Sequence, residues 1–139
     1  MVTTPAHVRR RPGPHAFHVL IVDADGLVGT AVRATLSASV QVHLVRSPAE
    51  ARAALDRDDP GLILLDLAVP ADRGDSFYAW LESKRPDLLD RVVFLSEGGF
   101  TAETRLLLRR TGHPVLMKPV HRDALFLVAD RFFDRRATG

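Results

Sequence analysis

Five short apolar runs divide this chain, and each is followed by a stretch with apolar positions at helical spacing. The run Leu62–Leu65 is the most continuous; both of its faces must be covered, as in the middle of a parallel sheet with helices on either side. It ends in a single carboxylate, Asp66, ahead of Leu67-Ala68-Val69-Pro70. Phe17–Val22 is similarly apolar and predicts a second central strand. Gln41–Val45 alternates polar and apolar residues, as an edge strand does, and Arg91–Leu95 and Pro114–Met117 complete the set. Between them, helices are predicted over Leu27 to Ala38, Pro48 to Arg57, Asp75 to Lys84, Thr101 to Arg110 and Arg122 to Phe133. Leu27, Val28, Ala31, Val32 and Thr35 share one broad face of the first helix. Ser47-Pro48-Ala49-Glu50 carries the residues of a capping box. Phe77, Trp80 and Leu81 fall on one face of the third helix, with Trp80 read as core, and Pro86 bars its continuation. Gly112 closes the fourth. In the last, Leu125, Val128 and Phe132 form a core face, while Phe126 and Phe133 lie on a second one.

A βα unit repeated five times, with connections short enough to demand right-handed crossovers, predicts a doubly wound α/β domain of five parallel strands and five helices. The expected strand order is the flavodoxin-like 2-1-3-4-5, which puts the two most apolar strands at the centre and the alternating one at an edge.

Composition narrows the setting. A chain of 139 residues with 46% hydrophobic residues suits one domain with a substantial core. There is no cysteine, so disulfide and thiolate chemistry are excluded. No apolar run approaches the ~18 residues of a membrane span, and no apolar signal region follows the N-terminus; a cytoplasmic domain without membrane contact is expected. The formal charge is +2, but Arg9, Arg10 and Arg11 account for it, and residues 17–139 carry 16 basic against 17 acidic side chains. No nucleic-acid surface is expected. Residues 1–16, with Pro5, Pro12, Gly13 and Pro14, read as a flexible basic tail, 17–133 as the domain, and 134–139 as a short C-terminal tail with no output domain following it. Such a domain acts alone on a protein partner or belongs to a longer chain.

The chemistry gathers at the strand ends. Asp23 and Asp25 follow the first strand, Asp66 ends the third, Ser96 the fourth and Lys118 the fifth. In a parallel sheet these ends share one rim, and strands one and three are neighbours at the topological switch point. Two crowded carboxylates call for a cation, and magnesium suits one or two carboxylates completed by water and phosphate oxygens. Lys118 adds an ammonium and Ser96 a hydroxyl; together these are the parts of a phosphoryl-transfer site. The six histidines show no metal-ligand pattern.

Val22-Asp23, Asp66-Leu67-Ala68-Val69-Pro70 with Gly74, Ser96, and Lys118-Pro119, in this order and each at a strand end, resemble the receiver domain of bacterial two-component response regulators over residues 17–133. The stretch Thr111–Pro119 is similar to receivers attached to hybrid histidine kinases. The resemblance implies a phosphoacceptor rather than a conventional enzyme: Asp66 accepts a phosphoryl group from a sensor histidine kinase or phosphotransfer protein. It implies Mg2+ held by Asp23, Asp66 and the backbone carbonyl of Ala68. It also implies that Ser96 and Lys118 respond to the phosphoryl group, shifting a surface of strands four and five and the last helix that serves a downstream target or a homodimer. A cis Lys118–Pro119 peptide is expected with it.

Three positions depart from the family pattern. Ala24 stands where a second metal-binding acid is usual, which leaves Asp25 as a substitute reaching back from the loop. Val115 replaces the usual aromatic switch residue, and Glu97 stands where a small residue is common. The alternative reading is therefore a pseudo-receiver: a protein-interaction domain with weak or no phosphorylation because of Ala24. A small flavodoxin-like enzyme or nucleotide binder is the third reading, disfavoured because no Gly-rich phosphate loop follows the first strand.

Overall fold

A computed structural model describes residues 17–36, 40–70 and 76–138, with side chains as far as 132. The predicted N-terminal tail, the end of the first predicted helix at Ala38 and the loop carrying Gly74 and Asp75 lie outside the described residues.

The described elements are β1 (Phe17–Val22), α1 (Leu27–Thr35), β2 (Val40–Val45), α2 (Pro48–Arg57), β3 (Leu62–Asp66), α3 (Phe77–Lys84), a 3-10 turn (Pro86–Arg91), β4 (Val92–Ser96), α4 (Ala102–Thr111), β5 (Val115–Met117) and α5 (Arg122–Thr138). All strands are parallel, in the order β2-β1-β3-β4-β5. The predicted fold and order are therefore observed.

Strand periodicity assigns the core to two layers. Val19, Ile21, Leu62, Leu64, Val93, Leu95 and Leu116 face α1 and α5, meeting Val28, Val32, Leu125, Ala129 and Phe132. The alternate residues Leu20, Val22, Ile63, Leu65 and Phe94 meet Ala51, Leu55, Phe77, Tyr78 and Leu81. β3 and β4 are buried at every position, whereas β2 alternates, as its edge place requires.

Local signals fare unevenly. Ser47 caps α2 through the Glu50 N–H, but the Glu50 carboxylate accepts from the Arg46 N–H, one residue earlier than an ordinary capping box. Ser76, rather than Asp75, stands at the head of α3 and caps it through the Ala79 N–H. Pro86 does stop α3, yet it opens the 3-10 turn, because its fixed φ suits a first helical position. Gly112 takes the left-handed conformation that closes α4, φ 69°. Leu27, placed on the core face by periodicity, points outward and is 73% exposed; Val28 and Val32 bury that face instead. Trp80 is half-buried, stacked on Phe77 at 5.8 Å, and Tyr78 enters the core beside it. Phe126 is half-buried with the Arg122 guanidinium over its ring at 5.5 Å. α5 continues past Phe133 to Thr138, so helix replaces most of the predicted C-terminal tail. The Lys118–Pro119 peptide is cis.

Candidate functional site

The parallel register brings Val22 beside Leu65, so the residues that follow them, Asp23 and Asp66, leave the sheet side by side. Both are buried: Asp23 is 1% exposed and Asp66 7%. The Lys118 ammonium reaches them from the end of β5, 2.8 Å from Asp23 Oδ2 and 2.5 Å from Asp66 Oδ2. The far oxygens are held by backbone. Asp23 Oδ1 accepts from the Asp25 N–H, and Asp66 Oδ1 accepts from the Ala68 N–H, each at 2.8 Å.

These contacts divide the charge unequally. Burial and the neighbouring Asp66 carboxylate outweigh the help from Lys118 and the Asp25 N–H, and the Asp23 pKa lies above the ordinary carboxylate value. Burial also works against ionised Asp66, but the hydrogen bonds from Lys118 and Ala68 prevail and lower its pKa. The two carboxylates overcome the desolvation of Lys118 and raise its pKa, so the ammonium stays charged. Asp66 is thus the easier of the two carboxylates to ionise, and Asp23 the harder.

Ser96 is buried one strand across, its Oγ accepting from the Gly98 N–H at 3.0 Å. Gly98 adopts φ 95°, which lets the chain double back over that hydroxyl. The Lys118 N–H donates to the Ser96 carbonyl at 2.7 Å and ties the ends of β4 and β5 together. Asp25 falls elsewhere: it is exposed, and its Oδ1 accepts from the Leu27 N–H at the head of α1. Asp23, Asp66 and Lys118 are therefore in mutual contact, Ser96 shares their rim, and Asp25 serves the helix. Beside them, a groove of about 420 Å³ runs along Asp25, Leu27, Glu97, Lys118 and Pro119.

A divalent cation has a partial donor set here. Asp23 Oδ2 is buried with the Lys118 ammonium in contact but no donor in hydrogen-bond geometry, and Asp66 lies against it. Among the described residues no cluster of three or more His, Asp or Glu forms a cage. Two carboxylates, completed by water and phosphate, fit magnesium's usual sparse protein ligation. Ala24 contributes no carboxylate.

Two polar contacts lie outside the motif. Arg46, the first residue past β2, donates from Nη1 to the Ala24 carbonyl at 2.6 Å. The rule that selected the other strand-end residues also points to it. Tyr78 and His113 pair at 2.7 Å, with the edge of the His113 ring against Phe94. Nothing in the local sequence joins these two, since they are 35 residues apart.

A family model of the response regulator receiver domain matches residues 19–130. No curated protein matches the chain. Among solved structures, the chain is similar to the signal receiver domain of an HD domain-containing protein from Pseudomonas fluorescens: TM-score 0.71, 16% identity, covering 89% of this chain and 99% of that one. It is similar to a response regulator from Desulfuromonas acetoxidans, with TM-score 0.71 and 21% identity over 85% of this chain and 97% of that one. A response regulator receiver domain protein from Methanospirillum hungatei gives TM-score 0.68 and 20% identity over 89% and 99%. At these identities the structural likenesses carry the fold, and the family match carries the lineage: the chain belongs to the response regulator receiver domain family.

Proposed function

We propose that this receiver domain accepts a phosphoryl group on Asp66 from a phosphohistidine of a sensor histidine kinase or phosphotransfer protein. The observation that carries this reading is the pairing of two buried carboxylates with one ammonium at the strand ends, with the Asp66 pKa lowered by its hydrogen bonds to Lys118 and Ala68. Asp66 Oδ2 is the nucleophile: its bond to phosphorus forms as the phosphorus–nitrogen bond of the donor breaks, and the imidazole leaves with that electron pair. Lys118 then exchanges its carboxylate contact for a phosphoryl oxygen, and the Ser96 hydroxyl donates to another. Asp23, Asp66 and the Ala68 carbonyl would hold magnesium, which when bound neutralises charge on the transferring group. Because Lys118 and Ser96 are joined through backbone, their movement would pass to β4, β5 and α5, the surface offered to a downstream protein or a second copy.

The test is incubation with acetyl phosphate, with and without magnesium, followed by intact mass. A magnesium-dependent phosphoryl adduct in the wild type, abolished in Asp66→Asn, is expected. The second reading, a pseudo-receiver, is favoured by one observation: Asp25 is exposed with its Oδ1 accepting from the Leu27 N–H, and position 24 carries no acid. It predicts no adduct in the wild type and gain of one in Ala24→Asp.

A further inference from the structure

The turn after β1 is exposed at Ala24 and Asp25, although Asp23 at its root is buried. Two of its hydrogen bonds are short-range, from the Asp25 N–H to Asp23 Oδ1 and from the Leu27 N–H to Asp25 Oδ1. The Asp23 N–H holds the root to the Val45 carbonyl at 2.9 Å. The fourth tie comes from a side chain: Arg46 Nη1 on the Ala24 carbonyl, 22 residues distant in sequence. Arg46 is itself anchored, because its N–H donates to the Glu50 carboxylate at 2.6 Å in the first turn of α2. Its other terminal nitrogen lies 3.2 Å from where a Cβ on Gly26 would stand. The guanidinium therefore rests on the turn at both Ala24 and Gly26, held from the start of α2.

We propose that Arg46 is a positioning residue of the phosphoacceptor site, a role that rests on the reading of Asp66 given above. It touches neither Asp66 nor its neighbours in the ion-paired set. It holds the turn in the one conformation where the Asp25 N–H occupies Asp23 Oδ1, which leaves Asp23 Oδ2 turned to Lys118 and available to a cation. With only two carboxylates to hold that cation, the direction of Asp23 counts for more than it would in a richer ligand set. The planar guanidinium spans two points of the turn, which a single ammonium cannot do.

The experiment measures, in the full chain, the magnesium concentration that half-saturates binding in calorimetric titration and phosphorylation by acetyl phosphate. Arg46→Ala should raise it on the order of fivefold, the loss expected for one hydrogen bond that helps set a binding geometry. Arg46→Lys should recover part of that loss. Gly26→Ala gives an independent route: Gly26 has φ −72°, so alanine suits its backbone and disturbs only the seat of the guanidinium. It should shift the magnesium requirement in the same direction as Arg46→Ala. An unchanged or lower requirement in Arg46→Ala, beside a wild type that is phosphorylated normally, overturns the role of Arg46 alone. So does wild-type phosphorylation that ignores magnesium. A wild type that takes no phosphoryl group at any magnesium concentration overturns the Asp66 reading and the role of Arg46 with it.

Discussion

Each end of the sheet buries an ion-paired cluster, and the two clusters are built differently. At the end where β3 and β4 begin, Arg85 is 1% exposed and its guanidinium meets Asp59 and Asp87, Nη2 lying 3.0 Å from each. Its Nε also donates to Asp87, and Arg91 donates to the Pro60 carbonyl at 2.8 Å. At the opposite end, Lys118 meets Asp23 and Asp66. The formal charges match: one cation between two carboxylates. The surroundings do not. Asp87 has a side chain 39% exposed, so water carries part of its charge, and the guanidinium fork offers several directed donors. Asp23 and Asp66 are both buried, and a single ammonium must serve both. One end is a staple holding the 3-10 turn to the turn before β3. The other crowds two buried carboxylates onto one ammonium.

Removing the cation of the staple should have the largest effect. Arg85→Ala leaves Asp59 buried without its guanidinium, and a loss of about 3–5 kcal/mol is expected, read by urea unfolding. A loss below 1 kcal/mol would mean the two ends are not different in kind. At the other end the sign should reverse. Burial and Asp66 raise the Asp23 pKa, so ionised Asp23 opposes folding at neutral pH. Asp23→Asn should gain roughly 0.5–2 kcal/mol in the same measurement, in the range of relieved functional-site strain, while losing magnesium-dependent phosphorylation. A destabilised Asp23→Asn would place that carboxylate with the staples.

The smallest predicted effect concerns the polar pair between the two ends. Burial lowers the His113 pKa, outweighing the attraction of Asp90 and Glu82. The unfolded imidazole, with its ordinary value of 6.5, takes a proton before the folded one does. This contribution to stability is thus complete above about pH 6.5 and declines as pH falls from there through the lower, folded value. His113→Asn should flatten the decline in melting temperature between pH 7 and 5. An equal decline in both proteins would show that His113 charges as readily folded as unfolded.

Hydrophobic pattern alone carries most of the architecture, because period-2 runs and helical spacing record which faces are covered. β3 and β1 read as central and β2 as an edge for that reason, and the observed order agrees. The strand-end residues Asp23, Asp66, Ser96 and Lys118 were legible too, since a parallel sheet delivers all its C-terminal ends to one rim. The errors lie where side-chain direction or remote partners decide. Leu27 sits at a permitted periodic position but at the very head of α1, where no neighbour covers it. Asp25 is an acid of the loop by sequence; only the structure gives its Oδ1 the Leu27 N–H as a donor.

The chain's sequence by itself determined a doubly wound five-stranded domain and the carboxylate at its centre, because burial and strand order follow from local periodicity. Tertiary structure decided that burial and a shared ammonium push the pKa values of the two carboxylates in opposite directions, that Asp25 accepts from the Leu27 N–H, and that Arg46 crosses from the end of β2 to the turn beside Asp23. Those outcomes depend on desolvation and on contacts tens of residues apart, where energies fall off over a few ångströms and no local pattern records the distance.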